Sequence, residues 1–201
     1  MIKVKHYIVI FWSSIMLLSC TQKEVTVGEY LNWVKNPENG LVVSKEFENY
    51  KISLFYKPVE FIAINEQRTT SIDTTVFFNR LKQLEEFQYY TLKIESLTGE
   101  DVLKTNISTE QEYFDRLYYF TDVLEYDLML EENKDTLSCQ LCHFERNYGV
   151  APYNNIDLGF TSSEIQTDKT LVFNDQVLGL GKIKLKIAKK DIDNIPKIKL
   201  N

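Results

Sequence analysis

Leu41-Val-Val-Ser-Lys-Glu-Phe47 and Tyr50-Lys-Ile-Ser-Leu-Phe-Tyr56 decide the fold. Both runs alternate apolar with polar residues and are rich in β-branched and aromatic side chains, as strands with one buried face are. The polar pair Glu48-Asn49 between them predicts a hairpin. Upstream the period changes. Thr26 stands three residues before Glu29, a capping-box spacing, and Val27, Tyr30, Leu31 and Val34 share one helical face. A helix over 27–35 and a turn over 36–40 follow, with Gly40 as the stop.

Downstream, Pro58 predicts a single helical turn over Val59–Ala63, and the polar residues 65–73 predict a loop. Thr74 or Thr75 caps a helix to about Glu86 with Phe77, Phe78, Leu81 and Leu84 on one face. Tyr89–Ser96 reads as a strand closed by Thr98-Gly99, and Ser108 or Thr109 caps a helix running through Glu112, Tyr113, Leu117 and Phe120. Strands are then expected over 123–130, 136–146, 156–161, 170–173 and 182–188, with turns at 133–135 and 174–175 and a loop over 149–155. This order predicts an α+β fold, a largely antiparallel sheet or meander with two or three short helices packed on one side, not repeated βαβ units. Lys182, Lys184 and Lys186 share one face of the last long strand, the pattern of an edge strand protected against aggregation.

The first nineteen residues have a different character. Lys3 and Lys5 precede an apolar run from Tyr7 to Leu18, too short to span a bilayer, which takes about 20 apolar residues. The run ends in Leu17-Leu18-Ser19-Cys20. That stretch resembles the lipobox of bacterial lipoprotein precursors. The resemblance implies cleavage before Cys20 and lipidation of Cys20 as the new N-terminus, with covalent palmitate-type chains as the anchor. It divides the chain into a signal peptide (1–19), a lipidated tether (20–26) and a single α+β domain (27–201). Several acyl chains hold a protein to a membrane where one binds only marginally. No Asp follows Cys20, so the common inner-membrane retention signal is absent, and the outer membrane of the cell envelope is the expected location. Gln22-Lys23-Glu24 is similar to the export signal of surface-exposed Bacteroidota lipoproteins, with one acid where the pattern usually has two, which leaves the surface and periplasmic faces both open. The remainder resembles small Bacteroidota lipoproteins and implies no activity.

Removing residues 1–19 takes away two Lys and no acid, leaving 21 basic and 29 acidic residues, a net charge of −8. Such a chain is a poor partner for nucleic acid or an anionic bilayer, so the lipid is the membrane contact. Twelve Phe and twelve Tyr against seven Gly and four Pro describe a chain able to build a packed core.

One chemical motif stands out. Cys139-Gln-Leu-Cys142-His143 matches the c-type haem attachment motif, with two thioethers and His143 as axial ligand. Its flanks alternate like a strand, whereas the motif usually opens a helix. Met129 is the only methionine beyond the signal, and His143 the only histidine. The same spacing also suits a redox thiol pair, two small buried thiols, or a local disulfide, the last needing a bulge because residues three apart on a strand face opposite ways. Carboxylate pairs such as Glu85/Glu86 and Glu131/Glu132 are expected at surface or turn positions. Gly179-Leu-Gly181-Lys182 lacks the upstream glycine of a phosphate loop, since position 176 is Gln. The leading expectation is a non-enzymatic, membrane-anchored lipoprotein serving as a binding or accessory subunit that docks another envelope protein, with no cofactor and no metal. The alternative is a haem c electron carrier through Cys139, Cys142 and His143. A hydrolase would need a Ser or several carboxylates gathered at His143.

Overall fold

A computed structural model describes residues 23–69, 71–163 and 167–200. The signal segment and Cys20 lie outside the described residues. In chain order the elements are β1 (Glu24–Val25), α1 (Val27–Lys35), β2 (Val42–Glu46), β3 (Tyr50–Lys57), α2 (Val59–Gln67), α3 (Thr74–Leu84), β4 (Phe87–Ser96) and α4 (Glu110–Tyr118). They continue with β5 (Leu128–Glu132), β6 (Asp135–Ser138), β7 (Leu141–Glu145), β8 (Tyr153–Thr161), β9 (Lys169–Asn174), β10 (Lys182–Ile187), α5 (Lys189–Asp193) and β11 (Lys197–Ile198). The fold is α+β, with antiparallel main sheets. A five-stranded sheet has the order β2-β3-β4-β8-β7, a four-stranded sheet the order β10-β9-β5-β6, and β1 pairs with β11 in parallel.

The alternation read in the sequence is what builds the core. In β4, Gln88, Tyr90, Leu92, Ile94 and Ser96 are buried, and beside them lie Tyr50, Ile52 and Leu54 of β3 and Asn154, Ile156, Leu158 and Phe160 of β8. From the other sheet Leu128, Leu130 and Glu132, Leu171 and Phe173, and Ile183, Leu185 and Ile187 are buried in the same way. The apolar members form one cluster. Each fully buried Leu, Ile or Phe contributes about 1.5–3 kcal/mol.

Polar groups join the two sheets across this core. Gln88 Nε2 on β4 donates to Glu132 Oε1 on β5 at 2.6 Å, and Lys169 Nζ on β9 lies 2.5 Å from the same oxygen. Gln88 also donates to the Thr161 carbonyl at 3.1 Å and accepts the Tyr90 hydroxyl at 2.8 Å. Sequence placed Glu132 with Glu131 on the surface; Glu132 is 1% exposed. It shares its face of β5 with Leu128 and Leu130, and only its partners make that position tolerable.

The opening hairpin forms as expected, pairing Val42 with Phe55 and Glu46 with Lys51. The capping box of Thr26 and Glu29 closes α1, and Gly40 ends the following turn at φ 79°. β10 is the outer strand that its lysines suggested, and Lys184 pairs with Glu131 at 2.8 Å.

Other expectations are corrected. The turn after Pro58 continues as a nine-residue helix to Gln67, because Ile64 joins Phe61 in the core, so residues 65–67 of the expected 65–73 loop are helical. Asp73, not Thr74 or Thr75, caps α3 by accepting from Val76 N at 3.0 Å. Residues 119–127, expected partly as strand, extend α4 as a π turn (Tyr119–Val123) and a 3-10 turn (Leu124–Asp127), which bury Phe120 and Leu124. β8 begins at Tyr153, inside the expected 149–155 loop. The expected strand 136–146 is two strands in different sheets. Cys139 N donates to Leu128 O in one sheet at 3.4 Å, and Gln140 N to Gly159 O in the other at 2.9 Å. The chain turns a corner at these two residues, as strands do when they switch sheets.

Gly159 matters to that corner. A Cβ built there would meet Leu141 Cδ1 at 2.8 Å and Leu141 Cβ at 3.0 Å. Gly159→Ala is expected to lower stability by about 1–3 kcal/mol in urea unfolding, whereas Gly28→Ala, with nothing within 4 Å of the new Cβ in α1, raises it by about 0.5–1 kcal/mol.

Candidate functional site

The sheet corner is what gives the Cys-x-x-Cys-His stretch its geometry. Cys139 sits on the corner, 8% exposed, and its thiol donates to the Leu141 carbonyl at 3.1 Å. Cys142 sits two residues into the register of β7 with β8, and its side chain borders a small cavity of about 220 Å³ with Phe120, Leu124 and Glu125. Phe144 lies on the same face of β7 and stacks on Phe120, with ring centroids 5.4 Å apart. A straight strand would have sent the two thiols to opposite faces; the bend at Cys139–Gln140 brings them together.

The proximity is chemical as well as spatial. The Cys142 thiol, acting as hydrogen-bond donor, holds Cys139 below the usual thiol range against the opposing effect of burial. Cys142 is pushed up, because its S–H is held as a hydrogen-bond donor to the Cys139 sulfur and its site is partly buried. Cys139 is therefore the member of the pair that ionises first. Both are free thiols here.

His143 stands apart from them. It is exposed, on the face of β7 opposite to Cys142, paired in register with Asp157. Two nearby side chains that could pair with it bond elsewhere: Glu145 Oε2 accepts from Asn155 at 3.0 Å, and Arg146 donates to the Tyr113 hydroxyl at 3.0 Å. For one porphyrin to take both thiols and His143 as axial ligand, β7 would have to leave its ladder with β8. Among the described residues no group of three or more His, Cys, Asp or Glu is placed to hold a metal ion.

The Gly179-Leu-Gly181 loop does gather backbone amides around an anion, and the anion is its own. The Asp175 carboxylate accepts from Val177 N at 3.0 Å, Leu178 N at 2.9 Å and Leu180 N at 2.7 Å. Buried Arg116 of α4 ties the same region together through the carbonyls of Val102, Thr105 and Val177.

A second feature was not singled out in the sequence. Along α4, Phe114 and Tyr118 are 51% and 62% exposed and one turn apart, and Tyr126 beyond the helix is 73% exposed. Phe114 packs edge-on to Tyr113 at 5.4 Å, Arg146 bonds Tyr113, and the Arg146 guanidinium lies 4.7 Å from the centre of the exposed Tyr148 ring. Tyr148, Arg146, Tyr113, Phe114, Tyr118 and Tyr126 thus form a run of aromatic and guanidinium surface. A groove of about 580 Å³ lies beside it, lined by Ile107, Tyr113 and Phe114 among others. The sequence signal was available: Phe114 and Tyr118 fall off the Tyr113–Leu117–Phe120 stripe of the helix. The π turn that ends α4 shifts that stripe, and such turns recur at functional sites.

No protein-family model matches this chain, and no curated protein or solved structure does either.

The thiol pair gives a direct test. Cys142→Ala removes the donor that stabilises the Cys139 thiolate, so the pKa of Cys139 rises. The pH midpoint of iodoacetamide labelling at Cys139, followed by mass spectrometry in reductant-free buffer after prior reduction, is expected to move upward. An unmoved midpoint would show that the two sulfurs do not share a proton.

Proposed function

We propose that this chain is a lipid-anchored protein of the bacterial cell envelope whose folded domain docks another envelope protein and carries out no catalysis itself. The anchor reading rests on Leu17-Leu18-Ser19-Cys20 and the short apolar run before it. Among the described residues no helix is long and apolar enough to cross a membrane; in this reading the attachment is lipid on Cys20.

The observation that carries the docking reading is the aromatic run on α4. Single exposed apolar residues are ordinary on any surface, but contiguous ones mark a contact. Tyr and Arg are the residue types that dominate binding energy at protein interfaces, since they offer large rigid area with a polar tip. Six aromatic or guanidinium side chains, four of them over half exposed, lie along α4, the turns that follow it and the loop after β7. Phe114 and Tyr118 would enter the partner's surface, with Arg146 and the Tyr hydroxyls at the rim. The acidic mature chain favours a partner presenting basic or neutral groups.

Two measurements test this reading. Metabolic palmitate labelling is expected to mark the wild-type protein and not Cys20→Ala; a labelled mutant would contradict the anchor. A photo-crosslinking amino acid at position 118 is expected to give one discrete adduct in intact envelopes, lost when Phe114→Asp is added, while the same probe at position 45 on β2 gives none. Equal adducts from both positions would contradict a docking face on α4.

A further inference from the structure

The thiol pair at the sheet corner takes no part in docking and has a chemistry of its own. A disulfide needs Cα atoms within about 7 Å, whereas residues three apart on a straight strand lie about 10 Å apart. The corner removes that obstacle. Its bend is held from both sides, by Cys139 N on the Leu128 carbonyl and by Gln140 N on the Gly159 carbonyl of β8. The Cys139 thiol folds back over the residues that follow it. It donates to the Leu141 carbonyl at 3.1 Å, and that carbonyl belongs to the peptide link leading into Cys142. The two sulfurs come within hydrogen-bond reach of each other. Thiols serving only as small apolar packing need no such approach.

The two thiols differ in access. Cys139 is buried, while Cys142 is half-buried and borders the cavity of about 220 Å³. The other walls come from the π and 3-10 turns after α4. Phe120 and Leu124 supply apolar surface, Thr121 a hydroxyl, and Asp122 and Glu125 carboxylates; among the described residues no Lys or Arg lines this space. It is smaller than the pockets that enclose a whole drug-sized ligand, and suits one arm of a small molecule lying against Cys142.

We propose that Cys139 and Cys142 form a reversible dithiol–disulfide couple that exchanges with small neutral or cationic disulfides entering beside Cys142. An exported chain, as the lipobox reading has it, meets oxidants of this kind. The exchange needs no other reactant. Once Cys139 is ionised, the Cys142 proton passes to it along their hydrogen bond, and the Cys142 thiolate attacks one sulfur of the incoming R–S–S–R. That S–S bond breaks, and the departing R–S⁻ takes the proton from Cys139. The Cys139 thiolate then attacks the Cys142 sulfur of the mixed disulfide and expels the second R–S⁻, which solvent protonates. The two protein thiols lose two electrons and two protons, and the small disulfide is reduced to two R–SH. Phe120 and Leu124 take the carbon arm, and the carboxylates of Asp122 and Glu125 disfavour an anionic one. The couple does not depend on the aromatic face of α4.

The test uses the full chain in detergent micelles, reduced and then freed of reductant, with three disulfides of one skeleton and different charge: cystamine, hydroxyethyl disulfide and dithiodipropionate. Trypsin cuts after Lys134 and Arg146, so residues 135–146 leave as one peptide with both cysteines. After cystamine this peptide is expected to lack the mass of two hydrogens, and dithiothreitol should restore it. Cys139→Ala should stop after the first attack and keep a stable adduct on Cys142. Cys142→Ala leaves only the buried thiol, whose adduct should form about tenfold more slowly. The urea-unfolded chain gives each probe's own reactivity. Relative to it, folding should favour cystamine over dithiodipropionate about tenfold at low salt, and Glu125→Gln and high salt should each reduce that advantage. A peptide that keeps both thiols or ends with two adducts, equal adduct rates in the two Ala variants, or no charge preference beyond that of the unfolded chain would each overturn the proposal.

Discussion

A carboxylate between two sheets is the constraint that the rest of the structure answers to. Glu132 projects from β5 into a core otherwise made of Leu, Ile, Phe and Tyr, and it is held by Lys169 from its own sheet and Gln88 from the facing one. Desolvating such a group costs several kcal/mol unless its partners are in place. The arrangement therefore fixes more than a contact. It sets β5 beside β9 in one register, and it sets the face of β4 that carries Gln88 and Tyr90 against β5. A one-residue slip in any of these strands would leave the charge unpaired, and apolar packing alone would not punish it so heavily.

The functional features occur where the chain departs from regular strands and helices. The corner at Cys139–Gln140 exists because residues 135–138 belong with β5 and residues 141–145 with β8, and it brings the two thiols into each other's reach. The π and 3-10 turns after α4 bury Phe120 and Leu124 behind Cys142 while leaving Phe114, Tyr118 and Tyr126 outward. At the other end of the domain the C-terminal segment is tied back, β11 to β1, by Lys197 N donating to Lys23 O at 3.0 Å and Lys199 N to Val25 O at 2.8 Å. The chain thus returns, at its end, to the stretch that follows the proposed lipid attachment.

Much of this fold was legible from period alone. The 41–56 hairpin, α1 with its capping box and the edge strand β10 follow from alternation, helical spacing and turn residues. What escaped depends on contacts between distant residues. Leu128, Leu130 and Glu132 alternate correctly, but only Lys169 and Gln88, 37 and 44 residues away, make a buried Glu possible. The 136–146 run alternates without a break, and the switch of sheets at its middle is set by which neighbours are available, which no local pattern records. Residues 123–127 contain strand-forming Val and Tyr and still complete a helical turn, since Leu124 is better buried that way. At the candidate site, the cysteine spacing was visible but not the bend that makes it a pair. The aromatic face needed each residue's exposure, which composition does not give.

The claim that Glu132 and its partners hold the sheets in register is open to one direct measurement, a double-mutant cycle of Glu132→Leu and Lys169→Leu in urea unfolding. Each single change should cost about 3–5 kcal/mol by taking the opposite charge away from the one that stays buried. The double change should cost at least about 2 kcal/mol less than the sum of the two. Costs that add to within about 0.5 kcal/mol would show that the two residues act independently and that apolar packing sets the register instead.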